Sequence, residues 1–341
     1  MPDARRSRRR PVLKRMALVL IGLALVAFAG AQRTLTVAQT VDIPGFDPHN
    51  HGLTAVEAVI TNVFDYLLFR DANGDIQPAL ATGYEQVDDL TWRFTLRDGV
   101  VWHDGEPFTA TDVKFSLERV ARDSSLFEHD SFQQIAEVEI VNDHEILIHT
   151  TGPDPVLLNR VSRKGADIVP KHVIDAVGWE GFSVNPVGTG PFRFVEWVRD
   201  DRVVLEAFPG HWRGAPAWDR LVFRAVPEDA TRVGELLTGN VDIAVNFPTQ
   251  DVERTRGAGA ADVVSQPTTR IMMLLFNTAD GKATSDPRVR EAVELAIDKE
   301  LLVEVVAGGF GVPVAARVSP GVDMAPMKYY DRNDYNPERA Q

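Results

Sequence analysis

The sequence predicts an α/β protein of two domains or more, because segments with strand periodicity and segments with helix periodicity follow one another along the chain. The clearest strand alternates the apolar Trp92, Phe94 and Leu96 with polar neighbours. An amphipathic helix follows a T-x-x-D capping pattern that begins at Thr109. Hydrophobic residues make up 44% of the sequence, which is enough for packed cores. The chain has 341 residues, more than the roughly 250 at which a single core stops growing, so more than one domain is expected.

Periodicity and turn signals place the other early elements. A first strand is predicted around Leu35 and Val37, and a helix from Ala55 to Leu68 carries apolar residues at helical spacing. Asn73-Gly74 predicts a hairpin turn. The acidic residues around this turn resemble a calcium loop only superficially. An EF-hand requires glycine at its sixth position and glutamate at its twelfth, and counted from Asp71 these positions hold Ile76 and Thr82.

Strands and turns return later in the chain. The predicted strands are 138–140, 146–148, 192–195, 203–205, 221–223 and 241–243. The continuous apolar run Ile271–Phe276 predicts a buried strand. Asp286-Pro287 predicts the start of a helix, and Gly308-Gly309 predicts its end. Asn336-Pro337 predicts another helix start close to Gln341, which we interpret as truncation of the chain, because a helix of one turn is not stable alone.

The first 31 residues are typical of a secretory signal. A basic block up to Arg15 precedes the apolar stretch Met16–Ala29, and small residues follow as in an A-x-A cleavage site. The apolar stretch is shorter than the roughly 20 residues that a transmembrane helix needs. We therefore predict export, with cleavage near Ala29 or Ala31. The general secretory route is favoured, and the paired arginines leave the twin-arginine route open.

The sequence contains no cysteine, so a disulfide framework and a lipid-anchor cysteine are both excluded. An exported protein without a lipid anchor is predicted to be free in the periplasm. The formal net charge is −13, although the N-terminal segment is strongly basic. An acidic surface repels phosphate backbones and other copies of itself, so we predict a monomer with no nucleic-acid partner.

Motifs for catalysis, cofactors and metals are missing from the sequence. Gly188-Thr189-Gly190 lacks the third glycine of a dinucleotide fingerprint, because Arg193 stands in its place. There is no G-x-S-x-G elbow, no phosphate-binding loop and no H-E-x-x-H pair. His49 and His51 are close in sequence, but such a pair in a loop is more often solvated than metal-bound. We predict no catalytic residues, no metal and no cofactor. An exported hydrolase stays an alternative because catalytic triads assemble in space.

Several segments together resemble the extracytoplasmic solute-binding proteins of peptide and nickel ABC importers, the dipeptide- and oligopeptide-binding group known as solute-binding protein family 5. The most specific segment is the strand–turn–strand–turn–helix succession from Leu80 to Arg119, which contains Trp102-His103-Asp104-Gly105. Phe46-Asp47-Pro48-His49, residues 186–192 and residues 286–292 follow in family order. The resemblance covers essentially all of the chain after the predicted signal.

The resemblance implies a two-lobed periplasmic-binding-protein-like α/β fold with an extra domain inserted in lobe one. The implied divisions are a signal peptide (1–31), lobe one (32–45 and 188–270), the inserted domain (46–187) and the start of an incomplete lobe two (271–341).

The implied function is transport without chemistry. Such a protein captures a peptide in the cleft between its lobes, closes around it and delivers it to the permease subunits of an ABC importer. The membrane would be met only through that transporter. Alternatives within the same family are a nickel chelate, haem, an opine or an oligosaccharide. A truncated product could also be an inactive fragment.

The resemblance also implies ligand contacts. The implied positions are Asp42, Ile43, Pro44, Gly45, Val245, Asn246, Met273, Leu275 and Asn277. Asp42 would pair with a ligand ammonium or cap the turn after the first strand. Asn246 has an amide that both donates and accepts, which suits a peptide backbone. Met273 and Leu275 would contact ligand or pack in a core.

Overall fold

The computed structural model describes residues 32–266, 268, 270–319 and 334–341. The predicted signal peptide lies outside the described residues. The chain divides into two compact units. The first comprises the residues up to Pro227 together with Val241–Ile243, and the second comprises Glu228–Asn240 and Ala244–Gln341.

Helices and strands are interspersed along the described chain, as an α/β class predicts. In chain order they are β1 (Thr34–Gln39), α1 (Thr54–Ile60), β2 (Leu68–Arg70), β3 (Ile76–Pro78), β4 (Ala81–Asp88), β5 (Thr91–Leu96), α2 (Ala110–Arg122), α3 (His129–Phe132), β6 (Ile135–Asn142), β7 (Glu145–Thr150), α4 (Leu157–Arg160), α5 (Lys171–Val184), β8 (Phe192–Val198), β9 (Arg202–Ala207), β10 (Arg220–Ala225), α6 (Asp229–Leu237), β11 (Ile243–Ala244), α7 (Val252–Ala258), α8 (Pro287–Ala296) and α9 (Lys299–Val305). Short 3-10 turns lie at Thr249–Asp251 and Ala283–Ser285.

One sheet is mixed and carries the first strand of the chain. Its order is β11-β1-β10-β9-β8, with β1 parallel to β10 and the β8–β9 and β9–β10 pairs antiparallel. Asp242 holds the start of β1 through two bonds to Thr36, one from its own amide to the Thr36 carbonyl and one from the Thr36 amide to its carboxylate. The predicted strands around residues 35, 192–195, 203–205 and 221–223 are confirmed.

A second sheet is antiparallel, with order β4-β5-β7-β6. Its hydrophobic face packs against α2, which begins as predicted with a capping box between Thr109 and Asp112. The predicted hairpin at Asn73-Gly74 is the β2–β3 connection, where Gly74 has a φ of 88° that suits glycine. The predicted hairpin of strands 138–140 and 146–148 is formed by β6 and β7.

Two hydrophobic cores lie in the first unit. The larger contains Phe94, Trp102 and Leu117, all fully buried, between the antiparallel sheet and α2. The other contains Phe46 and Phe182 and packs α1 and α5 against the mixed sheet. Truncating a buried aromatic residue costs roughly 3–5 kcal/mol, so these side chains account for much of the stability of the unit.

The helix predicted from Ala55 to Leu68 is shorter than expected. It ends at Ile60, and Leu68 already belongs to β2. The carbonyls of Asn62 and Val63 accept hydrogen bonds from the amides of Phe192 and Gly190, so they are used outside the helix. The amides that end this helix are more than a hundred residues away along the chain. The local periodicity of residues 55–68 could therefore not predict its end.

The second unit differs from two predictions. Ile271–Phe276 forms no strand with any described residue, and its side chains are largely exposed rather than buried. The helix that begins at Asp286-Pro287 is confirmed, with the Asp286 carboxylate accepting from the Arg288 amide. It ends at Ala296 instead of continuing to Gly308, because the Asp298 carboxylate caps a separate helix, α9, at the Leu301 amide.

The helix start predicted at Asn336-Pro337 forms one capped turn. The Asn336 side chain accepts from the Arg339 amide, and its carbonyl accepts from the Ala340 amide. Asn336 is itself fixed by a bond from its amide to the Leu295 carbonyl at the end of α8. The turn is thus attached to a longer helix of the same unit.

Candidate functional site

The turn after β1 carries the first predicted contact, Asp42. Its carboxylate accepts from the Trp197 indole at 3.0 and 3.2 Å and from the Asp200 amide at 2.9 Å. Asp200 has a φ of 59° in the β8–β9 connection, a conformation that costs energy for a residue other than glycine. Asp42 therefore connects the turn after β1 to the neighbouring hairpin. Its carboxylate caps that hairpin rather than the turn in which Asp42 itself lies.

The other three positions of this turn divide between core and surface. Ile43 is buried in the smaller core of the first unit, and Pro44 is exposed. Gly45 approaches α5 so closely that an added Cβ would lie 2.2 Å from the Ser183 hydroxyl oxygen. The turn is fixed at this point by a bond from the Phe46 amide to the Ser183 carbonyl at 2.9 Å. Asp42 and Pro44 are consequently the members of this set that reach solvent.

The turn after β11 carries Val245 and Asn246, which are both exposed. Asn246 has a φ of 50°, in the left-handed region. Its carbonyl accepts a 2.9 Å hydrogen bond from Arg232, whose side chain is fully buried and also pairs with Asp229 at 2.5 Å. The turn that carries this predicted contact is thus bonded to a buried arginine that sequence reasoning did not select.

The remaining predicted contacts lie in the extended segment of the second unit. Met273 is 46% exposed and Leu275 is 83% exposed, so neither packs in a core there. The Asn277 side chain accepts from the Ala279 amide at 3.1 Å, and its carbonyl accepts from the Thr284 hydroxyl. Contact of these residues with a ligand stays a prediction.

Sequence reasoning missed a buried polar cluster around the Asp47-Pro48-His49 segment. Arg119 donates to both oxygens of Asp47 at 2.8 and 2.7 Å, donates to His49 Nδ1 at 3.0 Å, and stacks 3.2 Å from the centre of the Trp179 ring. The other ring nitrogen of His49 lies 2.9 Å from the Asp167 carbonyl oxygen. These contacts give this segment a structural role. The aromatic and basic partners lie far along the chain, so spacing could not have found them.

The charges in this cluster set the pKa values of its members. Burial favours the neutral form of Asp47, but the hydrogen bond and charge of Arg119, with the nearby His49, outweigh burial and lower its pKa. Burial and then the charge of Arg119 lower the pKa of His49 to about 4. His49 is therefore neutral at neutral pH and accepts from Arg119 at one nitrogen.

A second buried cluster joins α1 to the segment before α5. Asp167 is fully buried, and burial followed by the charge of Glu57 raises its pKa well above the ordinary value. Burial also raises the pKa of Glu57, although Tyr66 donates a 2.5 Å hydrogen bond to it. One oxygen of each carboxyl has no hydrogen-bond partner among the described residues. His51 lies 3.4 Å from Glu57 and is nearly buried. In the described ranges, no three acidic or histidine side chains converge as metal ligands would.

Comparison with known proteins identifies the class. The family profile described as "Bacterial extracellular solute-binding proteins, family 5 Middle" matches residues 75–341. The chain belongs to this family, as its motifs predicted. None of the helices in the described ranges is long and apolar enough to cross a membrane.

Individual relatives agree with this assignment. The glutathione-binding protein GsiB of Salmonella typhi is 29% identical over 330 residues, which are 95% of this chain and 64% of the relative. The same-named protein of Pectobacterium atrosepticum is 28% identical over 336 residues, 96% of this chain and 64% of the relative. The chain therefore spans about two thirds of the length of these relatives.

Solved structures show the fold. The oligopeptide-binding protein AppA of Bacillus subtilis, solved with a nonapeptide, matches with a TM-score of 0.80 and 24% identity over 91% of this chain and 63% of AppA. NikZ of Campylobacter jejuni, solved with Ni(L-His), matches with a TM-score of 0.79 and 27% identity over 91% of this chain and 62% of NikZ. The predicted likeness to two-lobed periplasmic binding proteins is confirmed.

Proposed function

We propose that this protein is the solute-binding component of an ABC importer, which captures a peptide and delivers it to the permease without changing it chemically. The observation that carries the proposal is the match over 95% of the chain to a relative named as a glutathione-binding protein. Glutathione is a short peptide, so the peptide class implied by the family motifs and the class named for this relative agree.

The mechanism that follows is binding with a shift in conformation. A ligand that contacts one conformation more favourably than another shifts the population toward it, and the transporter then recognises that form. Peptide backbone is bound most economically as an added extended strand, with solvated pockets for its side chains. The proposed contacts are the nine predicted positions. Asn246 leads them because it is exposed and its amide side chain has no hydrogen-bond partner among the described residues.

The cellular setting is part of the proposal. We place the protein in the periplasm as a monomer, exported by its N-terminal segment with cleavage near Ala29 or Ala31. We also propose that the membrane is met only through the permease, which the absence of cysteine from the sequence supports. The proposed divisions remain lobe one (32–45 and 188–270), the inserted domain (46–187) and the start of lobe two (271–341). We propose no enzymatic activity, since the relatives are named as binding proteins.

A nickel chelate is the second candidate ligand. It is favoured by NikZ, which is 27% identical and was solved with Ni(L-His). His49 and His51 do not support it in this chain, because His49 is fully buried and already bonded to Arg119 and Asp167.

The test is ligand-induced stabilisation of the purified chain. Reduced glutathione, a defined nonapeptide and Ni(L-His) are each added at increasing concentration while the melting temperature is followed. A ligand at a hundred times its Kd stabilises by about 2.7 kcal/mol, which raises Tm by roughly 5–10 °C. Stabilisation by glutathione or the nonapeptide, confirmed by calorimetric titration, is the expected result. A shift with Ni(L-His) alone would replace the peptide by the chelate.

A further inference from the structure

Arg232 is a charged side chain in an unusual place. It lies on α6 with no exposed surface, and its guanidinium donates to the Asn246 carbonyl at 2.9 Å and to the Asp229 carboxylate at 2.5 Å. Arginine is seldom fully buried unless it is paired, because desolvating its charge is costly. Here Asp229 pairs with the charge, and the Asn246 carbonyl accepts a second bond from the guanidinium.

Asn246 is a residue that needs such support. A φ of 50° is uncommon for residues other than glycine, and asparagine tolerates it better than most. Among the described non-glycine residues, only Asp200 shares a positive φ. Exposed turns adopt this conformation stably when neighbouring contacts determine it. Here the carbonyl of Asn246 accepts a hydrogen bond from the buried guanidinium of Arg232.

We propose that Arg232 is a positioning residue, which holds Asn246 in the left-handed conformation before ligand arrives. The inference rests on the proposed function, since it assigns Asn246 to the ligand site. A turn that is already ordered loses less conformational entropy on binding, and the affinity gained is the cost avoided.

The same bond defines the ligand group that this turn accepts. The Asn246 carbonyl is committed to Arg232, so its amide N–H and its side-chain amide are what the residue can present to a ligand. Donors therefore outnumber acceptors at this point. The turn favours a carbonyl or carboxylate oxygen of a peptide over the peptide ammonium group, for which the Asn246 side-chain oxygen is the acceptor that remains.

Crystal structures of the wild type and of Arg232→Met test the positioning role without any ligand. Methionine keeps an unbranched apolar stem and removes every donor. We expect Asn246 to leave the left-handed region in this variant while α6 is retained. Arg256→Met is the matched control, because Arg256 is exposed on α7 of the same unit and pairs with Glu253 at 3.0 Å. A left-handed Asn246 in Arg232→Met would overturn the proposal. Arg232→Leu serves if the methionine variant does not fold, because leucine also lacks a donor, and an unchanged turn geometry in that variant would overturn the proposal equally.

Binding of reduced glutathione, measured by calorimetric titration, tests the consequence. Arg232→Met should weaken binding about 10-fold or more, and Arg256→Met should leave it unchanged. Adding Asn246→Gly to Arg232→Met should recover the part of the loss that comes from the backbone, because glycine adopts positive φ without penalty and keeps the backbone N–H, although it removes the side-chain amide. If Arg232 had only a structural role, Arg232→Met would be less stable than the wild type, and adding Asn246→Gly would recover no binding affinity. Equal affinity of the wild type and Arg232→Met overturns the inference. No binding by the wild type, with Asn246 displaced in the variant crystal, counts against glutathione as the ligand and leaves the positioning role supported.

Discussion

Gly188 lies where the backbone before β8 passes directly over the end of α1. A Cβ built on Gly188 would be 1.8 Å from the Val63 carbonyl oxygen, and one built on Gly190 would be 2.6 Å from the Val63 carbonyl carbon. The obstructing atoms are backbone, so no side-chain rotation can relieve the clash. We predict that Gly188→Ala forces the two segments apart.

The size of the effect follows from the contacts at this crossing. The Gly190 amide donates to the Val63 carbonyl at 2.9 Å, and the His103 amide donates to the Gly188 carbonyl at 2.9 Å. Overpacking costs about 1–3 kcal/mol, and each hydrogen bond lost adds about 1 kcal/mol. The expected destabilisation is roughly 3–5 kcal/mol, which for a unit of this size lowers Tm by about 6–20 °C.

Thermal unfolding followed by circular dichroism measures this effect. Gly152→Ala is the matched control, because no atom lies within 4 Å of its added Cβ and its φ is not positive. The control should melt within about 2 °C of the wild type, as surface substitutions usually do. If Gly188→Ala also melts within 2 °C of the wild type, the close crossing of these segments does not exist in solution.

Three further predictions concern charged and titratable groups of the first unit. Asp42→Ala should lower Tm by several degrees even without ligand, because the Trp197 indole and the Asp200 amide lose a charged acceptor worth roughly 1.5–3 kcal/mol. An unchanged Tm would mean that Asp42 has no structural role. Burial lowers the pKa of His103 to about 4, so the unfolded chain binds a proton at this residue more readily than the folded chain, and the free energy of unfolding should fall as pH drops from about 6.5 to 4. A pH scan of Tm should show a smaller fall in His103→Gln than in the wild type. Identical slopes would contradict the assignment. The raised pKa of Asp167 has a different consequence: its contribution to stability is greatest at low pH and is lost as pH rises from about 4 through the folded pKa. Asp167→Asn should therefore gain stability relative to the wild type as pH rises. A constant difference in Tm across the scan would count against this prediction.

Local chemistry predicted the beginnings of elements better than their ends. The capping box at Thr109 and the aspartate–proline start at Asp286 involve residues within three positions of each other, so the sequence displays them directly. The end of α1 depends on amides near residue 190, and the break before α9 depends on whether Asp298 acts as a cap. Several continuations satisfy such a sequence locally, and tertiary contacts select one of them.

The candidate site shows the same division. The resemblance indicated Asn246, and the structure gives it an exposed turn with an unusual φ. Arg232 could not be found this way, because an arginine on an amphipathic helix is normally solvated and its burial is visible only in three dimensions. The prediction for the run Ile271–Phe276 failed for the converse reason. Apolar composition predicts burial only where another element covers it, and the described residues leave most of this run exposed.

The most direct test of the central claim is the identity of the molecule that the protein captures. The chain is purified under native conditions, washed, denatured and analysed by mass spectrometry for released compounds. We expect a peptide released in near-stoichiometric amount, whose binding to the refolded protein is then confirmed by titration. Recovery of only a nickel chelate, an opine or a sugar that rebinds with one-to-one stoichiometry would contradict the peptide assignment.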